Sequence, residues 1–364
     1  MKFEGVKAIL SGTGKRETVK RMRPVSIKAV GTKIVRRRIG RTRIVGTKIV
    51  GMLIGLLLVV PASAGTKANA KGGTIIDSTL EWYGVTRHYQ VYLPPNLPAN
   101  PPMVLMLHGT SHGSGAPINP MWGWQNVSNK YGFILVKPAS TYNEQSEQWN
   151  WNAYYMSEAF TPADVGTCTV PPATACPDDA GFLRQLIENL TAQYNVNPNQ
   201  VYVAGFSSGA QMAQRVGVEI SDLVAAVVIG SGTIVGQPDP PPITLPGAAL
   251  APISVQEWHG TNDTEIPPCN NGKTKYSGYN FYLATVDQSF DYWTQQNACT
   301  TFENNMPLCE NGLANPDTTG NDATGCTNNT EVQFIWEEKV GHNWENQNDT
   351  TKWLFFAAHP KQPQ

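Results

Sequence analysis

The 364 residues are 41% hydrophobic, 9% aromatic and 15% charged, enough apolar material for one large core or two small ones. That composition excludes a disordered chain, a collagen-like chain and a small disulfide scaffold, and no apolar run reaches the roughly 18 residues of a membrane span. The formal net charge of -1 conceals an asymmetry: residues 1–50 hold 15 of the 27 Lys and Arg and two acids, Glu4 and Glu17, whereas residues 65–364 hold 12 basic and 26 acidic residues. The acidic bulk offers no general basic surface, so nucleic acid is not expected as a partner.

The basic stretch is followed by a short apolar run at 49–60, then Pro61-Ala62-Ser63-Ala64 and Ala68-Asn69-Ala70. Basic segment, short apolar segment and small-x-small site together describe a secretory signal peptide, cleaved after Ala64 or Ala70. The expectation is a secreted protein, extracellular or periplasmic. The basic part repeats Gly-Thr-Lys-Ile-Val at 31–35 and 46–50; an extended n-region or an upstream start explains it more simply than a nucleic-acid-binding arm. Residues 1–70 are set apart from the fold, which leaves 71–364 as one catalytic domain.

Residues 87–93 alternate with a period of two, the mark of a strand with one face buried. The runs at 103–107 and 133–136 are continuously apolar, as in strands buried on both faces. The first of them leads into Leu107-His108-Gly109-Thr110. From 179 to 194, Phe182, Leu183, Leu186, Ile187 and Leu190 recur at helical spacing behind an acidic start, which suits the positive end of a helix dipole. A strand at 201–204 is followed at once by a helix over 210–216. Later strands are expected at 223–229, 253–257 and 332–337, and a closing helix at 351–359. Strands alternating with helices predict an α/β fold with a mostly parallel central sheet and helices on both faces. The polar or Pro/Gly-rich stretches 138–178, 236–252, 264–282 and 300–330 are too long for plain connections and are expected to form rims or substrate-contacting loops.

Between the fourth of these strands and its helix stands Gly205-Phe206-Ser207-Ser208-Gly209. A nucleophile projecting above a sheet needs a very sharp turn, and glycines two before and two after it remove the bulk that the turn cannot hold. The serine then lies at a helix N-terminus, where N–H groups and the dipole favour negative charge. Ser207 is the candidate nucleophile. The backbone N–H of Ser208 is one candidate oxyanion donor, and that of Thr110 the other, with Ser111 as the alternative. Chain order then calls for an acid and a histidine. Asp263 lies just past the strand in Trp258-His259-Gly260-Thr261-Asn262-Asp263; Asp291 and the carboxylates near 265 are its rivals. His342, in Gly341-His342-Asn343-Trp344, follows the last strand and is the candidate base. His108 and His259 are read as scaffold, and His88 and His359 as ordinary surface or strand residues. His112 has no carboxylate or helix to support a metal site. No phosphate or dinucleotide motif completes the glycines after residue 108, and neither metal nor cofactor is expected.

Six cysteines, Cys168, Cys176, Cys269, Cys299, Cys309 and Cys326, fit disulfides in an exported chain and lack zinc-finger spacing. Cys168 and Cys176 are near enough in sequence to close a small loop, while the full connectivity stays open. Trp122, Trp149, Trp151 and Trp344, with Trp124 beside them, are candidates for lining a cleft or for packing the core.

Taken together, Leu107-His108-Gly109, Trp149-Asn150-Trp151, the 179–189 helix, Gly205-Phe206-Ser207-Ser208-Gly209-Ala210-Gln211-Met212, His259-Gly260-Thr261-Asn262-Asp263 and Gly341-His342-Asn343-Trp344 resemble the secreted esterases that include polyhydroxybutyrate depolymerases and feruloyl and acetylxylan esterases. The resemblance covers roughly residues 74–358 and implies the α/β-hydrolase fold. It also implies a Ser207-His342-Asp263 triad acting through an acyl-enzyme on an ester substrate, polymeric or not. It implies a Cys299–Cys326 bridge, leaving Cys269–Cys309 and Cys168–Cys176. The loops 157–178 and 300–325 are longer than expected for the family. No polymer-binding domain or Thr-rich linker is seen, so feruloyl or acetyl esters of plant polysaccharide are favoured over a solid polyester. A non-catalytic binding protein on a hydrolase scaffold and a peptidase of the same fold are the competing readings.

Overall fold

The computed structural model describes residues 65–68, 72–112, 123–143, 147–153, 178–236, 247–269, 283–344 and 348–362. Among them an eleven-stranded sheet carries everything else. Its strands, numbered along the chain, are β1 Gly65–Ala68, β2 Thr74–Trp82, β3 Val85–Leu93, β4 Met103–Leu107, β5 Ile134–Pro138, β6 Val201–Phe206, β7 Ala226–Gly230, β8 Ser254–Gly260, β9 Thr301–Glu303, β10 Gly320–Thr324 and β11 Val332–Glu337. Their spatial order is β1-β2-β3-β5-β4-β6-β7-β8-β11-β10-β9. From β5 to β11 neighbours run parallel; the hairpins at either edge are antiparallel. This is the α/β-hydrolase arrangement. The sheet begins at Gly65, inside the segment set apart as 1–70, because Gly65–Ala68 pairs with Thr74–Asp77.

The continuous apolar runs are explained by two-sided burial. In β4, Met103, Leu105 and Leu107 face one cluster and Val104 and Met106 the other; in β6, Val201 and Val203 alternate with Tyr202 and Ala204 in the same way. A strand buried on both faces has no polar positions to alternate with. The first face is covered by α2 Asp179–Tyr194, α3 Ser208–Glu219 and α4 Val286–Gln296, through Phe182, Leu186, Met212, Phe290 and Trp293. The second is covered by α1 Trp124–Tyr131 and α5 Asp349–Ala358, through Trp124, Trp353 and Phe356. The helix at 179–194, the strand at 103–107 and the strand at 332–337 fall on their expected bounds.

Two disulfides close the carboxyl-terminal part, Cys269–Cys309 and Cys299–Cys326. Cys168 and Cys176 lie outside the described residues. No helix among the described residues is long and apolar enough to cross a membrane.

One buried ion pair ties the sheet to the segment that will flank the site. Arg87 on β3 and Asp179 at the start of α2 meet at 2.6 Å with side chains 2% and 0% exposed. Arg87 also donates to the Ala139 carbonyl and lies 4.0 Å over the Phe182 ring. Asp179 Oδ2 accepts the Asn152 N–H at 2.7 Å. Removing one partner strands a buried charge. Arg87→Ala is therefore expected to lose about 3–5 kcal/mol in urea unfolding. A loss below about 1 kcal/mol, the range of an exposed pair, would contradict the assignment.

Candidate active site

The carboxyl ends of β4, β6, β8 and β11 bring the site together. Ser207 follows β6 directly and caps α3 with φ 56° and ψ -121°, a region that costs a non-glycine residue about 1–3 kcal/mol. The surroundings over-determine it. Ser207 N–H donates to the Gly230 carbonyl at 3.0 Å, and its own carbonyl accepts from Gln211 N–H at 3.0 Å. A Cβ at 205 would overlap the Gly209 backbone, and one at 209 would overlap the carbonyl oxygens of Leu107 and His108. The turn therefore requires both glycines, as the sequence spacing implies. The same crowding seats the serine against the β4 loop: a Cβ on Gly109 would stand 3.1 Å from Ser207 Cβ.

That loop is braced from two sides. His108 is buried; its Nδ1–H donates to the Gly109 carbonyl at 2.6 Å, and Nε2 accepts Ser140 N–H at 3.0 Å. Burial lowers its pKa to about 4, with Arg87 acting the same way and the Gly109 bond opposing. The scaffold role expected for His108 is thus met by a neutral ring with a fixed tautomer. Trp151 donates its indole N–H to the His108 carbonyl at 2.9 Å. Asn150 Oδ1 accepts from Trp151 N–H at 3.1 Å and from Thr110 Oγ1 at 3.3 Å. Ser111 pairs with Trp149 in a small antiparallel sheet. The loop that carries Thr110 is thereby held against the Ser207 turn at Gly109. Ser208 opens α3, so its N–H is among those that a helix leaves without an internal acceptor.

The acid and the base meet. His342 Nδ1 lies 2.7 Å from Asp263 Oδ2. Asp263 Oδ1 accepts the N–H groups of Glu265 and Ile266, each at 2.9 Å, and His259 Nε2 is 3.2 Å from Oδ2. Burial acts to raise the Asp263 pKa, but the hydrogen bonds from His259 and His342 outweigh it and hold the carboxyl well below the usual carboxylate range. Ionised Asp263 accepts only, so the Nδ1 of His342 carries the proton and Nε2 is left as the acceptor. The rivals are placed elsewhere. Glu265 is 66% exposed and 3.9 Å from Nε2, on the opposite side of the ring from Asp263; Asp291 lies on α4.

Phe206, which the sequence did not single out, links the two halves. It immediately precedes Ser207, and its ring centroid is 4.9 Å from that of His342. Ser231 Oγ, one residue past the Gly230 that holds Ser207 N–H, contacts the Asn343 carbonyl at 3.5 Å.

The tryptophans are placed differently from the cleft-lining expectation. Trp151 and Trp344 are each 3% exposed. Trp151 is committed to the His108 carbonyl, and Trp344 donates its indole N–H to Asp349 Oδ1 at 2.7 Å, with Lys352 Nζ 3.9 Å over its ring. Both brace loops from within. Trp149 is also buried and packs against Tyr142 with centroids 5.2 Å apart; Trp122 lies outside the described residues. No group of three or more potential metal-ligating side chains occurs among the described residues.

With a serine elbow, a braced neighbouring loop and an Asp–His pair on one sheet edge, the comparison with known proteins has a clear outcome. Residues 87–241 match the family model described as Esterase PHB depolymerase. The stretch 87–241 is similar to the esterases of that family. The chain is 25% identical over 227 residues to poly(3-hydroxyalkanoate) depolymerase C of Paucimonas lemoignei, a match over 55% of this chain and 49% of that protein. It is also 25% identical over 300 residues to a probable acetylxylan esterase A of Aspergillus clavatus, over 73% of this chain and 83% of that one. Among solved structures, the acetyl xylan esterase from Aspergillus awamori aligns with a TM-score of 0.48 at 16% identity, over 81% of this chain and 99% of that chain. The chain spans about half the length of the Paucimonas relative. The segment matched to the esterase family holds Ser207 and the β4 loop; Asp263 and His342 follow it in sequence.

The acid and base loops touch through Gly260. A Cβ there would overlap the Val340 and Gly341 carbonyl oxygens, just where Asn262 N–H donates to Val340 at 2.9 Å. Gly260→Ala is expected to cost about 1–3 kcal/mol, as overpacking does, and to part Asp263 from His342. An unchanged urea midpoint together with unchanged activity would contradict this.

Proposed function

We propose that this chain is a serine carboxylic-ester hydrolase that works through Ser207, His342 and Asp263. The observation that carries the reading is the 2.7 Å bond between His342 Nδ1 and Asp263 Oδ2, beside a serine on a strained strand-to-helix turn. In the proposed first step Ser207 Oγ bonds to the ester carbonyl carbon while its proton passes to His342 Nε2. The carbonyl oxygen becomes an oxyanion that accepts the backbone N–H groups of Ser208 and Thr110. Asp263 stabilises the imidazolium and stays ionised. The imidazolium then gives its proton to the departing alcohol oxygen as the C–O bond breaks, leaving an acyl-serine. Water, deprotonated by His342, attacks the acyl carbon, and Ser207 leaves with the proton returned by the imidazolium.

Feruloyl or acetyl esters of plant polysaccharide are the proposed substrates. The likeness to a protein named for acetylxylan, over 73% of this chain, supports the reading. A polyester of the hydroxybutyrate type is the second reading, favoured by the matched family and by the Paucimonas relative. Rates on acetylated xylan, methyl ferulate and a hydroxybutyrate oligomer, measured side by side, decide between them. Preference for the oligomer by tenfold or more would displace the polysaccharide reading.

Export follows from the amino-terminal pattern and the two disulfides. Cleavage after Ala64 leaves β1 intact at the sheet edge, so mass spectrometry of the exported protein is expected to find Gly65 at its start. Retention of the basic segment in the mature chain would count against export by this route.

Ser207→Ala is expected to lower kcat on a short nitrophenyl ester by at least about 10³-fold, the scale of losing a triad member; retained turnover would dispose of Ser207 as nucleophile. Because hydrogen bonds hold Asp263 ionised well below the usual carboxylate range, its carboxylate is expected to add nothing to the acid limb of log kcat/KM, whose slope should not exceed one. An acid limb of slope two would contradict this.

A further inference from the structure

A second row of buried polar groups runs from Asp263 through β8 towards α3 and α4. Trp293 on α4 donates its indole N–H to Gln214 Oε1 at 2.5 Å. That orients the amide, so Gln214 Nε2 is the donor facing Glu257 Oε2, at 3.4 Å. Glu257 lies on β8 and is 3% exposed. Burial pushes its carboxyl pKa well above the ordinary value, against a smaller lowering by Gln214. Among the described residues, neither its other oxygen, Oε1, nor His259 Nδ1 has a hydrogen-bond partner. These two atoms face each other 4.0 Å apart.

The far side of the His259 ring decides which way the protons point. Nε2 lies 2.8 Å from the Ile266 carbonyl and 3.2 Å from Asp263 Oδ2. A carbonyl and an ionised carboxylate only accept, so Nε2 carries a proton. In the neutral ring Nδ1 is then an acceptor. The group facing it is a carboxyl oxygen, which can satisfy an acceptor only when protonated. Leaving two buried polar atoms unjoined is unfavourable, and a bond between them removes both unmet demands at once.

We propose that Glu257 is a carboxylic acid whose Oε1–H donates to His259 Nδ1, fixing the Nε2–H tautomer that holds Asp263 in place for His342. Every bond in the row then runs in one direction, from Trp293 to Gln214, Glu257, His259 and Asp263, and His342 donates to the same carboxylate from the other side. Glu257 is a positioning residue: it touches no reacting atom and acts through His259. The kinetic consequence rests on the proposed serine-hydrolase reading, whereas the tautomer does not.

The tautomer is read by ¹⁵N NMR of histidine-labelled wild-type protein at neutral pH, without any substrate. The expected His259 signals are a protonated Nε2 and a bare, hydrogen-bonded Nδ1, with His259 assigned by the spectrum of His259→Gln. An imidazolium or a protonated Nδ1 would overturn the proposal. Kinetics provide the second arm. Glu257→Gln reproduces the polarity, its carbonyl accepting from Gln214 and its N–H replacing the acid O–H, so kcat is expected to stay within about threefold of wild type. Glu257→Met keeps the length and loses both bonds; kcat is expected to fall about tenfold, the scale of one hydrogen bond, with KM within twofold. Equal losses in the two variants, or none in Glu257→Met, would refute the positioning role. Should Glu257→Met not fold, the Gln variant and the NMR spectrum decide. A wild-type protein without esterase activity would defeat the proposed function and leave the NMR result to judge the tautomer.

Discussion

A buried carboxylate has to find donors for its lone pairs, and Asp263 finds them on two sides. Its Oδ1 faces the backbone N–H groups of Glu265 and Ile266, and its Oδ2 faces two imidazoles. The local N–H groups come from its own loop, so they fix which way the carboxyl points before His342 arrives. The imidazoles come from β8 and from the loop after β11, neighbouring parallel strands with matched register from Val255 to Gly260. An aspartate in this position that was merely surface-exposed would hold its proton affinity near the ordinary value and would not orient a ring. Here its charge is retained despite burial because the donors outweigh desolvation.

Parallel strands explain why residues far apart in sequence meet. Each βα crossover returns the chain to the same edge, so the residue after each strand lands beside its neighbours. Ser207 after β6, Gly230 at the end of β7, Asp263 beyond β8 and His342 beyond β11 occupy that edge. Register alone does not let the loops touch, because side chains at the closest approaches would overlap the facing backbone. The absent side chains at 205 and 209 let the elbow close onto the β4 loop, and that at 260 lets the acid loop close onto the base loop. The strain at Ser207 is held by this packing, since its N–H and C=O are both engaged in fixed bonds.

Most of the sheet was legible because burial on both faces writes itself as uninterrupted apolar runs, as in Met103–Leu107 and Val332–Glu337. The elements that escaped residue-level reading have other signals. The strand β2 is long but half-buried, without the strong apolar run of a central strand. The helix Val286–Gln296 begins with a Thr285–Gln288 capping box, a local pattern present in the sequence and passed over among the polar loops. At the site, the glycines and the chain order pointed to Ser207 and to the Asp263–His342 pair because sharp turns and triad order restrict residue types. Contacts that depend on register left no trace in spacing. Phe206 against His342, Asn150 under Thr110 and Glu257 beside His259 could be seen only once the strands were aligned.

The placement of the tryptophans gives them a structural part at the sheet edge. An indole with its N–H bound to His108 or Asp349 and its faces covered cannot offer a stacking surface without giving up a buried hydrogen bond. What Trp151 and Trp344 supply instead is stiffness: one anchors the loop that carries Thr110, and the other lies two residues after His342. Rigid first-contact geometry is what an oxyanion site needs, because donors that must reorganise during the reaction give back much of what they stabilise. Among the described residues, the sheet edge therefore carries a stiff frame of hydrogen bonds around Ser207 and His342, in which the indoles serve as braces and not as an aromatic surface.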